Sequence, residues 1–365
     1  MQAMRGEPVD DEVAAGRPGW GSLLFDLVVG AVLFVAVTVG FSPWYSDRLF
    51  DRGVFRAYYD QGVYQFRILG PDVVLWIDRM IPNDPLGSHL VANGRHPHAA
   101  DLFTALFVLN AVSFVALVVL IHVVVRRGGL VEPGRSLVVV LLLVAVALSL
   151  STVTPYDLPA LALALAVLVA AGSRPPWDLL AVPLIVLGVL TRESALVAVA
   201  ALAAHAVVVP PSRRRLVLIV VTGVAGVAAY LGVRVGASSP AFWETLTIEG
   251  NLARLIQWVG LAVMAGLYLV WRRGSALAGL GGGGSGRAVG WFWLFASPYV
   301  LTAFLTGYWF ELRLLVPMLV GELWVRAEVA RHPHETESVQ SSRPPLGSLT
   351  SRSRSSTVST PADSS

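Results

Sequence analysis

Residues 101–125 read DLFTALFVLNAVSFVALVVLIHVVV, and after Asp101 at its start the run holds no carboxylate and no arginine. A helix needs roughly 17–25 apolar residues to cross a bilayer. Runs of that grade recur at 22–42, 136–153, 214–236, 254–271, 290–306 and 312–329, with a shorter one at 158–172. In hydrocarbon every backbone polar group must find its partner inside its own segment, so runs like these fold as helices. The composition agrees: 55% of the residues are hydrophobic and 14% are charged, where a soluble domain carries about 25% charged residues. Too little polar surface exists to cover so much apolar chain, and the excess faces lipid. The fold class is all-α: a polytopic membrane helix bundle.

Residues 179–209 decide the topology. As one helix they would be roughly 46 Å long, too long for one ordinary span. They are also interrupted by Thr191-Arg192-Glu193-Ser194. They read as two short helices, spanning or re-entrant, with the polar tetrad at the tip. That gives about ten membrane segments. With both termini cytoplasmic, the arginine clusters at 126–135, 174, 213–215, 272–287 and in the C-terminal tail all fall inside, as the positive-inside rule requires. The outer side receives the loop 43–100, TPYD at 154–157, TRES at 191–194, and residues 238–251 and 307–313. The resulting domains are an N-terminal tail (1–21), a membrane domain (22–330) with its large extracytoplasmic loop, and a Ser-, Pro- and Arg-rich cytoplasmic tail (331–365) expected to be disordered.

Several classes drop out. With no cysteine, disulfides, thiolate catalysis and Cys-based metal sites are excluded. The arginines lie at the ends of apolar runs, where they orient helices, so no nucleic-acid partner is expected. The polar, partly acidic first residues do not read as a cleavable leader. The segment GLGGGGSG (279–286) lacks the Lys-Ser/Thr of a phosphate loop and reads as a cytoplasmic linker.

Ionisable groups at membrane level are expensive and mark cavities or partners. On this topology Asp60, Arg67, Asp157, Arg192, Glu193, Glu244, Glu249, Glu311 and Arg313 all map to the outer side, and the inner side shows no comparable mixture. Mixed signs suit a site that combines an acid or base with anion binding. Arg192 and Arg313 together suit a lipid-linked phosphate, since a guanidinium meets phosphate in a two-pronged fork; equally, both could hold the bundle by salt bridges. Asp60 could serve chemistry or pair with Arg56 or Arg67. Asp157, just before an apolar run and flanked by prolines, matches a helix N-cap. Residues after Pro71 fit an interfacial amphipathic helix with Asp72, Asp78 and Arg79 on its wet face. His122 and His205 fall near inner helix ends and read as capping or snorkelling groups. Trp243, Trp258, Trp291 and Trp293 read as interface anchors. His96, His98 and Asp101 could ligate a metal, or simply belong to a polar loop.

Three short pieces resemble the GT-C superfamily of integral-membrane glycosyltransferases: YDQGVY, with Asp60 and Tyr64 at Asp-x-x-x-Tyr spacing; VLGVLTRESALV (186–197); and FELRLLVPML (310–319). The usual paired Asp-Glu of that first loop is here Asp60-Gln61, and Asp47 or Asp51 are alternative acids. The resemblance implies transfer of a sugar from a polyprenyl-phosphate donor to an extracytoplasmic acceptor, in a bacterial-type plasma membrane. It implies Asp60 as the catalytic acid-base group or a ligand of a divalent metal (Mg or Mn). Arg192, Arg313, Arg67 and Tyr64 would bind the lipid phosphate, with Asp157, Glu193 and Glu311 in support. The rivals are a polytopic transporter or lipid flippase, which would carry polar residues within its helices, and a non-catalytic envelope-assembly protein.

Overall fold

A computed structural model describes residues 20–40, 47–59, 65–81, 83–92, 101–130, 133–150, 152–235, 246–281, 283–309 and 311–332. Among these, the regular structure is helical throughout, with no strand. The described residues form these α-helices in order: α1 (Trp20–Gly40), α2 (Arg52–Tyr59), α3 (Leu69–Met80), α4 (Pro85–Ala92), α5 (Phe103–Arg127), α6 (Gly134–Ser149), α7 (Asp157–Ala171), α8 (Ala181–Thr191), α9 (Val197–Val208), α10 (Arg213–Gly232), α11 (Ile248–Ala253), α12 (Leu255–Ser275), α13 (Gly283–Phe295), α14 (Ser297–Thr306) and α15 (Val316–Ala330).

Among the described residues, four helices are long and apolar enough to cross a membrane: α1, α5, α10 and α12 with the π-turn that extends it to Leu280. A fifth candidate is the pair α13 and α14, bent by 51° at the break between them. The run 290–306 is therefore not one straight helix. The bend falls at Ala296, just before Ser297-Pro298, where the proline opens a new helix at its first turn. The Gly-rich stretch is likewise not simply a linker. Gly279 takes a left-handed φ of 82° that turns the chain after the π-turn, and α13 starts at Gly283.

The 179–209 stretch breaks where the polar tetrad stands. Helix α8 ends at Thr191, Arg192 is extended, and α9 resumes after a single 3₁₀ turn at Glu193–Leu196. At 11 and 12 residues, α8 and α9 are each shorter than the roughly 30 Å hydrocarbon core.

Helix α15 is the centre of the bundle, with Val316 through Val329 all buried. It is surrounded by α5, α6, α7, α9 and α13, while α8 and α10 stack outside α7 and α9, and α1 lies against α5 and α6. The outward sides of α1, α10 and α12 carry exposed Leu24, Val28, Val32, Val217, Val220, Val224, Ile256, Val259 and Val263. That is the surface a bilayer covers. A second, smaller core gathers Phe50, Phe55, Tyr59, Val74, Leu102, Phe103 and Tyr156, and it seats the first-loop helices on the starts of α5 and α7. Helix α3 begins at Leu69, so Pro71 lies within its first turn rather than before it. Asp78 is drawn off the wet face into an ion pair with Arg52 at 2.7 Å.

Contacts between helices gather Arg127, Arg214 and Arg215 at one end of the bundle. There Arg127 donates to the Val169 carbonyl and the Ser173 hydroxyl, Arg214 pairs with Asp178, and Arg215 pairs with Glu328. This end also holds a mixture of carboxylates and arginines that the sequence reading missed. Asp26 of α1 contacts His122 at 3.1 Å and Arg135 at 3.2 Å. Glu322 of α15 pairs with Arg326 and accepts from Tyr268 and Trp293. His122 and His205 are thus buried rather than snorkelling, and the half-buried Trp293 spends its indole N–H on Glu322.

Candidate functional site

The opposite end carries the cluster of interest. Its base is the turn at residues 154–157. Thr154 donates its hydroxyl to the Asp157 carboxylate at 2.6 Å and accepts the Asp157 N–H at 3.2 Å. Thr154 therefore supplies the capping oxygen of α7. Asp157 is the first residue of the helix, not its N-cap, and its carboxylate points to other partners. The favourable field of the helix N-terminus suits a carboxylate there. Asn110 of α5 fixes the turn by donating to the Thr154 carbonyl at 3.1 Å. From the other side, Gly70 of α3 approaches so closely that a Cβ there would lie 2.4 Å from the Pro155 carbonyl oxygen.

Three arginines from three parts of the chain converge on this turn. Arg192, at the break between α8 and α9, pairs with one Asp157 oxygen. Arg313, in the 3₁₀ turn before α15, pairs with the other at 3.1 Å and grips Glu311 with two further N–H groups at 3.2 and 2.8 Å. Arg67, on the loop into α3, pairs with Glu193 at 2.8 Å. The Tyr156 ring lies between two of them, 4.3 Å from the Arg67 guanidinium and 5.5 Å from that of Arg192. Burial acts to lower the pKa of the Arg67 guanidinium, but Glu193 beside it more than reverses this and holds it above the ordinary arginine range. Burial pushes the Tyr59 hydroxyl well above the usual tyrosine range, and Tyr156 adds to the effect.

The structure thus brings together Arg67, Asp157, Arg192, Glu193, Glu311 and Arg313. Arg192 and Glu193 pair with different partners, not with each other. Glu249, on α11, is not part of this set. Asp60 and Tyr64 lie outside the described residues, as do Trp243, Glu244, His96 and His98. Tyr156, Tyr59, Thr154 and Asn110 belong to the site's frame and were not singled out from the sequence. The placement of Tyr156 between two prolines and beside Asp157 was the available signal.

The charges balance: Arg67, Arg192 and Arg313 face Asp157, Glu193 and Glu311. The arginines' donors are not exhausted, because the buried Nε of Arg192 has no hydrogen-bond partner among the described residues. Each carboxylate is already held by a guanidinium, and the described residues contain no group of three or more His, Asp or Glu positioned to hold a metal ion. Asp60, the residue expected to hold a Mg or Mn ion, lies outside the described residues.

Two cavities flank the cluster. One, of about 250 Å³, is almost wholly apolar; Leu261, Tyr268, Trp293, Tyr299, Phe304 and Leu314 are among its walls. It reaches the cluster through Tyr299, which donates to the Leu314 carbonyl at 3.1 Å and lies within the fields of Arg192, Glu193, Arg67 and Arg313. The other, also about 250 Å³, lies between α2 and α3, and Arg67 is in its wall. No family model, curated protein or solved structure matches the chain.

Proposed function

We propose that the protein transfers a sugar from a polyprenyl-phosphate donor to an acceptor on the extracytoplasmic face of a bacterial-type plasma membrane. The observation that carries this reading is the meeting of Arg192 and Arg313 on Asp157, with Tyr299, a wall of the apolar cavity, within the fields of both arginines. An amphiphile with one anionic head and a long hydrocarbon tail matches those two surroundings. The tail would lie along the walls between α12, α14 and α15, and the head would sit at the arginines.

Because the cluster is neutral as it stands, a phosphate binds by exchange. It takes over donors now held by Asp157 or Glu311, and the unpartnered Arg192 Nε adds a further one. In the reaction the acceptor hydroxyl gives its proton to Asp60 as its oxygen bonds the anomeric carbon. The bond from that carbon to the phosphate oxygen breaks, and the polyprenyl phosphate leaves carrying the extra negative charge. Guanidinium groups fixed beforehand at that position stabilise the charge as it grows. The Tyr156 ring packs against both Arg67 and Arg192, and Asp157 and Glu193 orient them. Asp60 follows Tyr59 directly in the chain. The full set of about ten membrane segments, with the cluster outside and the arginine-rich end inside, belongs to this proposal.

Asp60→Asn, expressed and inserted normally, is expected to lower glycolipid-dependent transfer by about a hundredfold or more, the usual worth of a general base. Unchanged transfer by that variant rules out Asp60 as the base. The buried ionisable groups inside α1, α5 and α15 favour a second reading as a transporter, since such proteins carry ionisable groups within their helices. Substrate-dependent flux across a vesicle membrane, with no sugar transferred, would select it.

A further inference from the structure

The second cavity takes part in none of this, and its lining differs from that of the lipid-facing one. Between α2 and α3, Phe55 and Tyr59 supply aromatic surface while Arg56, Gln65, Arg67 and Asp72 supply hydrogen-bonding groups. An anion fits it poorly. Asp72 faces the same space, and the charge of Arg67 is already met by Glu193. A lipid chain fits it poorly too, because four of the walls are polar or charged. An extended peptide needs a long groove or an open strand edge, whereas this cavity measures about 250 Å³ and lies between two short helices. What remains is a small, uncharged molecule with apolar ring faces and many hydroxyl groups. Planar amide, carboxylate and guanidinium groups bind hydroxyls in pairs, and aromatic rings receive the C–H faces.

We propose that this cavity binds a neutral carbohydrate ring and is the acceptor site. The proposal rests on the transferase reading and adds the acceptor's class to it. Arg67 then stands between the two compartments: one side of its surroundings is the Glu193–Tyr156 cluster, the other is the cavity. The acceptor hydroxyl and the lipid-linked sugar would approach from opposite sides of that residue.

The test uses the full chain in nanodiscs and saturation-transfer NMR titrations with a methyl hexoside and a short neutral oligosaccharide. Inorganic phosphate and an uncharged Asn- and Ser-containing peptide run in parallel. Saturable sugar binding is expected, without competition from phosphate or peptide. Asp72→Ala and Gln65→Ala should each weaken it about fivefold, the effect of one ordinary hydrogen bond. Sugar binding indifferent to both substitutions, no saturable sugar binding, or displacement of the sugar by phosphate or peptide would overturn the proposal. Arg313→Gln separates it from the transferase reading. That variant should keep sugar binding while losing affinity for a polyprenyl monophosphate. If the wild-type chain binds sugar in this cavity and no polyprenyl monophosphate at all, the transferase reading fails and the carbohydrate site stands.

Discussion

At the scale of single residues, Asp157 does the most to set the site's electrostatics. It is the shared counter-charge of Arg192 and Arg313. Replacing it by Asn leaves two guanidinium groups in a buried setting without that charge, a change that costs about 3–5 kcal/mol where a buried pair is broken. The same replacement removes the group with which a phosphate must compete. Asp157→Asn is therefore expected to lower thermal stability in detergent and to tighten binding of a polyprenyl monophosphate. A purely structural clamp would give the first effect alone. Asp26 offers the contrast: it is buried on α1 against His122 and Arg135, and neither it nor those partners line either cavity. Asp26→Ala should destabilise the fold by a comparable amount, about 3–5 kcal/mol, and leave phosphate affinity per folded molecule unchanged. The sequence marks Arg192, Glu193, Glu311 and Arg313 because each interrupts an apolar run. It does not mark Tyr156 or Thr154, whose roles depend on contacts with Arg67, Arg192 and Asp157 that only folding creates.

At the scale of elements, helix existence is legible and helix continuity is not. Apolar runs place α1, α5, α10 and α12 closely, because length and hydropathy are local properties. The polar tetrad at 191–194 marks the break between α8 and α9 for the same reason. The bend between α13 and α14 and the early start of α13 escape, since both rest on how a short glycine- and proline-bearing stretch packs. The buried charges of α1 and α5 escape because lone Asp26 and His122 in long apolar runs find each other across two helices; Glu322 pairs with Arg326 on its own helix, but its Tyr268 and Trp293 donors come from others. The contact of α3 with the 154–157 turn yields a sharp test. Gly70→Ala would put a methyl group 2.4 Å from the Pro155 carbonyl oxygen. Helix α3 must then withdraw, at about 1–3 kcal/mol. Lower thermal stability and a loss of order at Arg67 are expected; a variant with wild-type melting would show that α3 is not held there.

For the whole molecule, the arrangement separates two chemistries by distance along the bundle. One end collects the arginine-rich turns, the other collects Asp157, Arg192, Arg313 and the two cavities. The chain has no cysteine, so single cysteines introduced at Ser212 and at Tyr308 report sidedness without background. Tyr308 is exposed at the cluster's end, and Ser212 caps α10 at the other. A membrane-impermeant maleimide applied to intact cells is expected to label the Tyr308→Cys chain and spare the Ser212→Cys chain. The reverse pattern would invert the topology. The central claim is that the paired arginines receive the phosphate of a lipid whose tail fills the apolar cavity. Its most direct test compares the affinity of the purified chain for a polyprenyl monophosphate and for the matching free polyprenol. The account predicts that the phosphate binds at least about tenfold more tightly, the equivalent of about 1.4 kcal/mol, and that Arg313→Gln abolishes the difference. Equal affinity for the two lipids, or a preference untouched by that substitution, would contradict it.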